Sequence, residues 1–150
     1  MKKLFIILGI IFLTFTFIVT TSKEKILEKY NHTLENVGAL RLTSTEKLQG
    51  TRTFLNNHYT GIYEATYNNY YGEEYIFGGT SLNTIENIHI KIVLENTTGK
   101  INITLNQRGK ITELCQEQNT CEYDFSLSSG SNYLSLNMNN YTGNIFISLT

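Results

Sequence analysis

The sequence predicts an all-β fold, an antiparallel β-sandwich of jelly-roll type with about nine strands, preceded by an N-terminal membrane or stalk helix. Three observations carry this expectation. Apolar residues recur at every second position in the C-terminal part of the chain, as in Ile88, Ile90, Ile92 and Leu94, or Ile145, Ile147 and Leu149. Each run is closed by turn formers, among them Asn96-Thr97-Thr98-Gly99, Arg108-Gly109, Ser128-Ser129-Gly130 and the stretch 139–143. Upstream of Gly38 the spacing is helical instead. A period of two puts one hydrophobic face on each strand, and short turns between such strands favour antiparallel pairing.

The first element is an export signal. Lys2 and Lys3 precede an uncharged run over residues 4–21, rich in Ile, Leu and Phe, and charge returns at Lys23. A basic start keeps to the cytoplasm while the apolar run enters the membrane, so the rest of the chain is expected outside. At 1.5 Å per residue the run spans about 27 Å, close to a hydrocarbon core of about 30 Å. It exceeds an ordinary signal-peptide core and lacks an A-x-A cleavage site, so residues 1–21 read as a signal peptide or an uncleaved membrane anchor. No Cys stands near the end of the run to carry a lipid.

Residues 22–38 read as an amphipathic stalk helix. Ile26, Leu27, Tyr30, Leu34 and Val37 fall on one face, Thr21 and Glu24 have capping-box spacing, and Gly38 suits a helix stop. Residues 39–150 then form the sandwich domain. Its candidate strands are 39–43, 51–55, 59–67, 73–77, 88–94, 101–105, 123–127, 134–138 and 145–149.

Beyond residue 21, ten Lys and Arg face thirteen Asp and Glu, a formal charge of −3. A weakly acidic surface without a basic block excludes nucleic acid as the expected partner. Asp124 is the only Asp, which argues against a calcium site. His32, His58 and His89 share no ligand spacing, and no metal or cofactor is expected.

Tyr59, Tyr63, Tyr67, Tyr71 and Tyr75 recur every four residues. On a continuous strand they share a face, and Tyr59, Tyr63 and Tyr67 are the firmly aligned members. They are the candidate ligand-binding residues, because flat rings with hydroxyl tips stack on sugars or anchor a protein partner. The competing reading buries the rings at the sandwich edge, with the hydroxyls reaching water or backbone.

Cys115 and Cys121 are the only cysteines and flank a five-residue turn. In an exported chain they are expected to form a structural disulfide, and there is no C-x-x-C spacing for redox or zinc chemistry.

Catalytic motifs of the G-x-S-x-G, H-E-x-x-H or phosphate-loop kind are absent from the sequence. A Ser-His-Asp arrangement would need Asp124, on the outward phase of its strand. Glu73 and Glu74 are adjacent and therefore point to opposite faces of a strand. Glu64 with Glu73 or Glu74, next to His58, is the one grouping from which a hydrolytic cleft could be built.

Three short stretches, Tyr59-Thr60-Gly61-Ile62-Tyr63, Tyr75-Ile76-Phe77-Gly78-Gly79-Thr80 and Asn140-Tyr141-Thr142-Gly143-Asn144-Ile145, resemble small exported β-sandwich proteins of Gram-positive bacteria. Those proteins occur as lipoproteins or membrane-anchored forms. The resemblance runs from Tyr59 to the C-terminus, implies a jelly-roll-like sandwich at the cell surface, and transfers no catalytic residue.

The expected function is therefore that of a non-catalytic exported cell-envelope protein. It would touch the membrane through residues 4–21, bind cell-wall or other carbohydrate or an envelope protein, and be secreted if the N-terminal segment is cleaved. The alternatives are a small exported hydrolase with a carboxylate and His cleft, or an accessory subunit of a membrane complex.

Overall fold

The structure is a computed structural model and describes residues 7, 10, 23–116 and 120–150. The expected membrane segment, residues 4–21, lies outside the described residues except for Ile7 and Ile10, which are helical and exposed. Among the described residues no helix is long and apolar enough to cross a membrane.

Among the described residues from 23 onward, the helix α1 (Lys23–Ala39) precedes six strands: β1 (Thr51–Phe54), β2 (Gly61–Ser81), β3 (Ile85–Gln107), β4 (Lys110–Gln116), β5 (Thr120–Leu127) and β6 (Gly130–Leu149). The chain divides into two compact units between Thr33 and Leu34, so the last turns of α1 count with the sheet. In the first unit Ile26, Leu27 and Tyr30 are exposed. In the second, Gly38 closes the helix against β2. A Cβ at Gly38 would collide with the Thr80 amide nitrogen, and the Tyr133 hydroxyl donates to the Gly38 carbonyl at 3.0 Å.

The strands join in one antiparallel sheet of order β1-β2-β6-β3-β4, with β5 also paired to β3. β2, β6 and β3 are long, and each bends in the middle. The bends coincide with register breaks at 67–72 on β2 and 95–100 on β3. Left-handed backbone occurs in the same places, at Asn69 (φ 50°), Gly99 (φ 77°) and Asn140 (φ 51°). Asn and Gly tolerate that conformation, and bulges of this kind bend a strand while the ladder continues on either side.

The bends divide the sheet into two halves. The first contains β1, the start of β2, the end of β6, the start of β3, and β5. The second contains the rest of β2, β6 and β3, with β4. Alternate residues of both halves enter one hydrophobic core, including Ile90, Ile92, Ile145 and Ile147 from the first and Ile101, Ile103, Leu134 and Leu136 from the second. Two sheet layers over one core make the sandwich architecture.

Among the described residues six strands replace the expected nine. The pairs 59–67 with 73–77, 88–94 with 101–105, and 134–138 with 145–149 each proved to be one bent strand. Residues 39–43 are not a strand. The chain there leaves α1 through tight turns, Leu40, Arg41 and Leu42 each donating three residues back, to Val37, Gly38 and Ala39. β4 has no counterpart among the expected strands. Its alternation is broken, since Ile111 is exposed while the consecutive Leu114 and Cys115 are both buried.

Both margins of the sandwich are closed. On the β2 margin Thr43 exchanges two hydrogen bonds with Tyr75, its amide donating at 2.9 Å and its hydroxyl accepting at 2.8 Å. Arg52 completes that margin by donating to the carbonyls of Tyr75, Ile76 and Thr43 at 3.3, 3.1 and 3.0 Å. On the opposite margin the expected disulfide, Cys115–Cys121, joins β4 of one half to β5 of the other.

Candidate functional site

Tyr59, Tyr63 and Tyr67 lie inside the sandwich, with exposures of 1%, 0% and 2%. They are not a surface platform: Tyr63 and Tyr67 are on the core phase of β2, and Tyr59 is buried in the turn that precedes it. A ligand cannot stack on rings already packed against the sheet. The four-residue rhythm breaks at the β2 bend, which turns Tyr71 outward to 76% exposure. Tyr75 is half-buried, with the Arg41 guanidinium 4.9 Å from its ring and 4.9 Å from that of Tyr133.

Two of these tyrosines, Tyr63 and Tyr67, meet Glu74, which is fully buried. Glu74 sits opposite Leu136 on the core phase of the second half, whereas Tyr63 and Tyr67 come from the first. Both hydroxyls donate to Glu74 Oε2, at 2.7 and 2.6 Å, and the two hydroxyl oxygens are 2.7 Å apart. The other carboxylate oxygen, Oε1, accepts the Gln49 amide at 3.1 Å. The cluster thus ties the two sheet halves together and fixes the segment that precedes β1. Buried carboxylates are tolerated when hydrogen bonds replace lost water, and here three donors do so.

Burial is the main cause that pushes the Tyr63 and Tyr67 hydroxyls above the ordinary tyrosine range, and that of Tyr59 likewise. Tyr141 is pushed up to about 12 by burial alone. The folded chain therefore keeps these phenols protonated where the unfolded chain, with tyrosines near their usual value of about 10, has lost the protons. Their contribution is complete below about pH 10 and declines as pH rises from there toward about 12, where Tyr141 itself ionises. In an alkaline titration the buried phenols should ionise together with loss of the far-UV circular dichroism signal. Phenolate absorbance complete before any unfolding would contradict their burial.

The carboxylate and His grouping expected for a hydrolytic cleft is not assembled. Glu64 faces outward from the first half, Glu74 is in the core, and Glu73 is exposed on the opposite phase. His58 packs edge-on to Phe54, ring centroids 5.0 Å apart. His89 Nδ1 does meet Asp124 Oδ1 at 2.8 Å across the β3–β5 ladder, but the side chains are 46% and 84% exposed. Such a contact has the character of a surface ion pair. Among the described residues no group of three His, Cys, Asp or Glu side chains could hold a metal ion.

A concavity lies on the outer face of the first half. Glu64, Phe146 and Val93 stand side by side on β2, β6 and β3, and Thr66, Asn144 and Glu95 form the next row. Gln49, Gly50 and Thr51 form a rim beside β2, and the groove encloses about 620 Å³. Phe146 is half-buried at its centre, while Glu64, Glu95 and Thr66 are exposed. Thr66 Oγ1 donates to Asn144 Oδ1 at 2.9 Å, a contact that orients the amide. The rim is held from beneath, since the Gln49 amide is the one bonded to Glu74.

Of these residues only Glu64 was singled out by sequence reading, and in another role. The groove is built from residues up to 97 positions apart, from Gln49 to Phe146. No local pattern announces that β6 lies between β2 and β3.

No protein-family model and no curated protein sequence matches the chain. Among solved structures it is similar to the pre-peptidase C-terminal domain of collagenase from Bacillus anthracis, at 18% identity and a TM-score of 0.36, covering 67% of this chain and 85% of that one. It is also similar to a family 29 carbohydrate-binding module, at 13% identity and a TM-score of 0.33, covering 68% and 74%. The Drosophila melanogaster CENP-C cupin domain matches at 9% identity and a TM-score of 0.33, covering 87% and 98%. At these scores the likenesses carry no argument about ligand or activity.

Proposed function

We propose that this protein is a non-catalytic binding module of the cell envelope, held outside the cytoplasmic membrane, that takes a wall or other carbohydrate in the β2–β6–β3 groove. The observation that carries the reading is the composition of that groove. A single aromatic ring, Phe146, is ringed by the amides of Gln49 and Asn144, the hydroxyls of Thr51 and Thr66, and the carboxylates of Glu64 and Glu95. Sugars present apolar C–H faces with hydroxyls around their edges, and an aromatic surface rimmed by amides and carboxylates complements both.

Two features support the envelope part of the proposal. The Cys115–Cys121 disulfide suits an oxidising compartment. The basic start and apolar run over residues 2–21 suit export.

The test is binding of the full-length, detergent-solubilised chain to purified wall polysaccharide, followed by calorimetry. Phe146→Ala should weaken binding at least ten-fold while the far-UV circular dichroism spectrum stays that of the folded chain, the loss of a half-buried ring costing about 1 kcal/mol of stability. Absence of wild-type binding, or unchanged binding in a Phe146→Ala/Asn144→Ala variant, would refute the proposal.

A further inference from the structure

The groove has a sign. Its lining carries Glu64 and Glu95 and, among the described residues, no Lys, Arg or His. Among the described residues neither Glu64 nor Glu95 forms an ion pair, so no partner there neutralises the groove carboxylates. Lys91 lies on the same outward phase of β3, one row from Val93, but it is held by Glu122 at 2.9 Å. Glu64 and Glu95 stand diagonally on opposite sides of β6, Glu64 in the row of Phe146 and Glu95 in the row of Asn144. They are separated by two strand spacings of about 4.8 Å across the sheet and two residues along it.

Two unpaired carboxylates flanking an aromatic ring attract a cation by two routes. Coulomb attraction acts from each side, and the negative face of the Phe ring adds a cation–π contribution. A polyanionic ligand would meet repulsion from the same pair.

Resting on the groove being the binding site, we infer that its ligand is an amino-sugar oligomer whose amines are unsubstituted and positively charged. The amines match Glu64 and Glu95, one sugar face lies on Phe146, and the hydroxyls meet Gln49, Thr51, Thr66 and Asn144. The hydroxyl and amide lining favours a sugar over a basic peptide, because a Lys side chain brings one ammonium and an aliphatic stem but no edge of hydroxyls for those groups to meet.

Calorimetry on the full-length chain in detergent should compare a glucosamine pentamer, its fully N-acetylated counterpart, a neutral glucose pentamer and a pentalysine peptide. The glucosamine pentamer should bind at least ten-fold more tightly than the other three at low ionic strength. That preference should shrink as salt is raised. Glu64→Gln/Glu95→Gln, isosteric changes at two exposed positions, should abolish the preference and leave the melting curve unchanged. Phe146→Ala should weaken the binding of every sugar.

Equal affinity for the three sugars would overturn the charge assignment and leave the groove as a carbohydrate site. Tighter binding of pentalysine would overturn the sugar assignment. If no pentamer binds, the charge assignment fails, and wall-polysaccharide binding by the same preparation then decides whether the groove proposal fails with it.

Discussion

Replacing Glu74 with Ala should destabilise the domain by about 3–5 kcal/mol, the range for removing one partner from a buried charged or hydrogen-bonded group. The loss arises from what is left behind. Tyr63 and Tyr67 would keep buried hydroxyls with no carboxylate to receive them, and the Gln49 amide would lose its acceptor. Arg52 would lose a neighbouring negative charge; burial already holds its guanidinium below the ordinary arginine range, with Glu74 and Tyr63 acting in the opposite sense.

Glu74→Gln should cost less, about 1–2 kcal/mol, because an amide retains one acceptor oxygen. The apolar triple Tyr63→Phe/Tyr67→Phe/Glu74→Leu should recover much of the loss of the single Ala change, since it removes donors along with the acceptor. Urea unfolding followed by far-UV circular dichroism measures all three. A Glu74→Ala protein within 1 kcal/mol of wild type would mean that the cluster is not a tie between the sheet halves. The same variant bears on function, because Gln49 forms part of the groove rim. Affinity for the carbohydrate proposed to occupy that groove should fall with stability, although Glu74 does not line the groove.

Removal of the disulfide should produce the second large effect. Among the described residues β4 pairs only with the second half of β3 and β5 only with the first, and no ladder joins β4 to β5. Cys115–Cys121 is therefore a covalent clasp across an otherwise unladdered margin. Closing a loop of about seven residues is worth about 2 kcal/mol by the chain-entropy relation. For a domain of this size that corresponds to a fall in Tm of roughly 5–10 °C in Cys115→Ala/Cys121→Ala.

A reductant should lower the wild-type Tm by a similar amount and leave the double variant unaffected. Hydrogen exchange should quicken first in β4 and β5, the two strands the bond holds together. A wild-type protein whose melting ignores the reductant would show that the margin closes without the bond.

The strand faces were readable because they are local. Alternation in Ile88–Leu94 and Ile145–Leu149 needs only each residue's second neighbour, and the same segments line the core. Opposite orientations for Glu73 and Glu74 followed from their adjacency, and one is exposed while the other is fully buried. Strand continuity was not local. Asn96-Thr97-Thr98-Gly99 has the composition of a turn, but neighbouring strands bend at the same level, so their ladders resume beyond it and β3 runs through. A bulge and a turn draw on the same residues, and only pairing partners separate them.

The tyrosines show the same division. Their spacing places Tyr63 and Tyr67 on one face of β2, but nothing in the spacing says which face is inside. That was decided by Glu74, carried back over the core by the bend in β2, where two hydroxyls can satisfy it.

By itself, then, the sequence determined an all-β chain with one hydrophobic face per strand, and a cysteine pair close enough to join. It also set an apolar, basic-flanked N-terminal segment apart from the rest. Only the tertiary structure decided that the tyrosines point inward, that three strands bend instead of ending, and that Glu64, Phe146 and Glu95 share a groove. The physical reason is range. Periodicity and turn chemistry act over a few residues, whereas strand order and the direction of a bend depend on contacts between segments far apart in the chain.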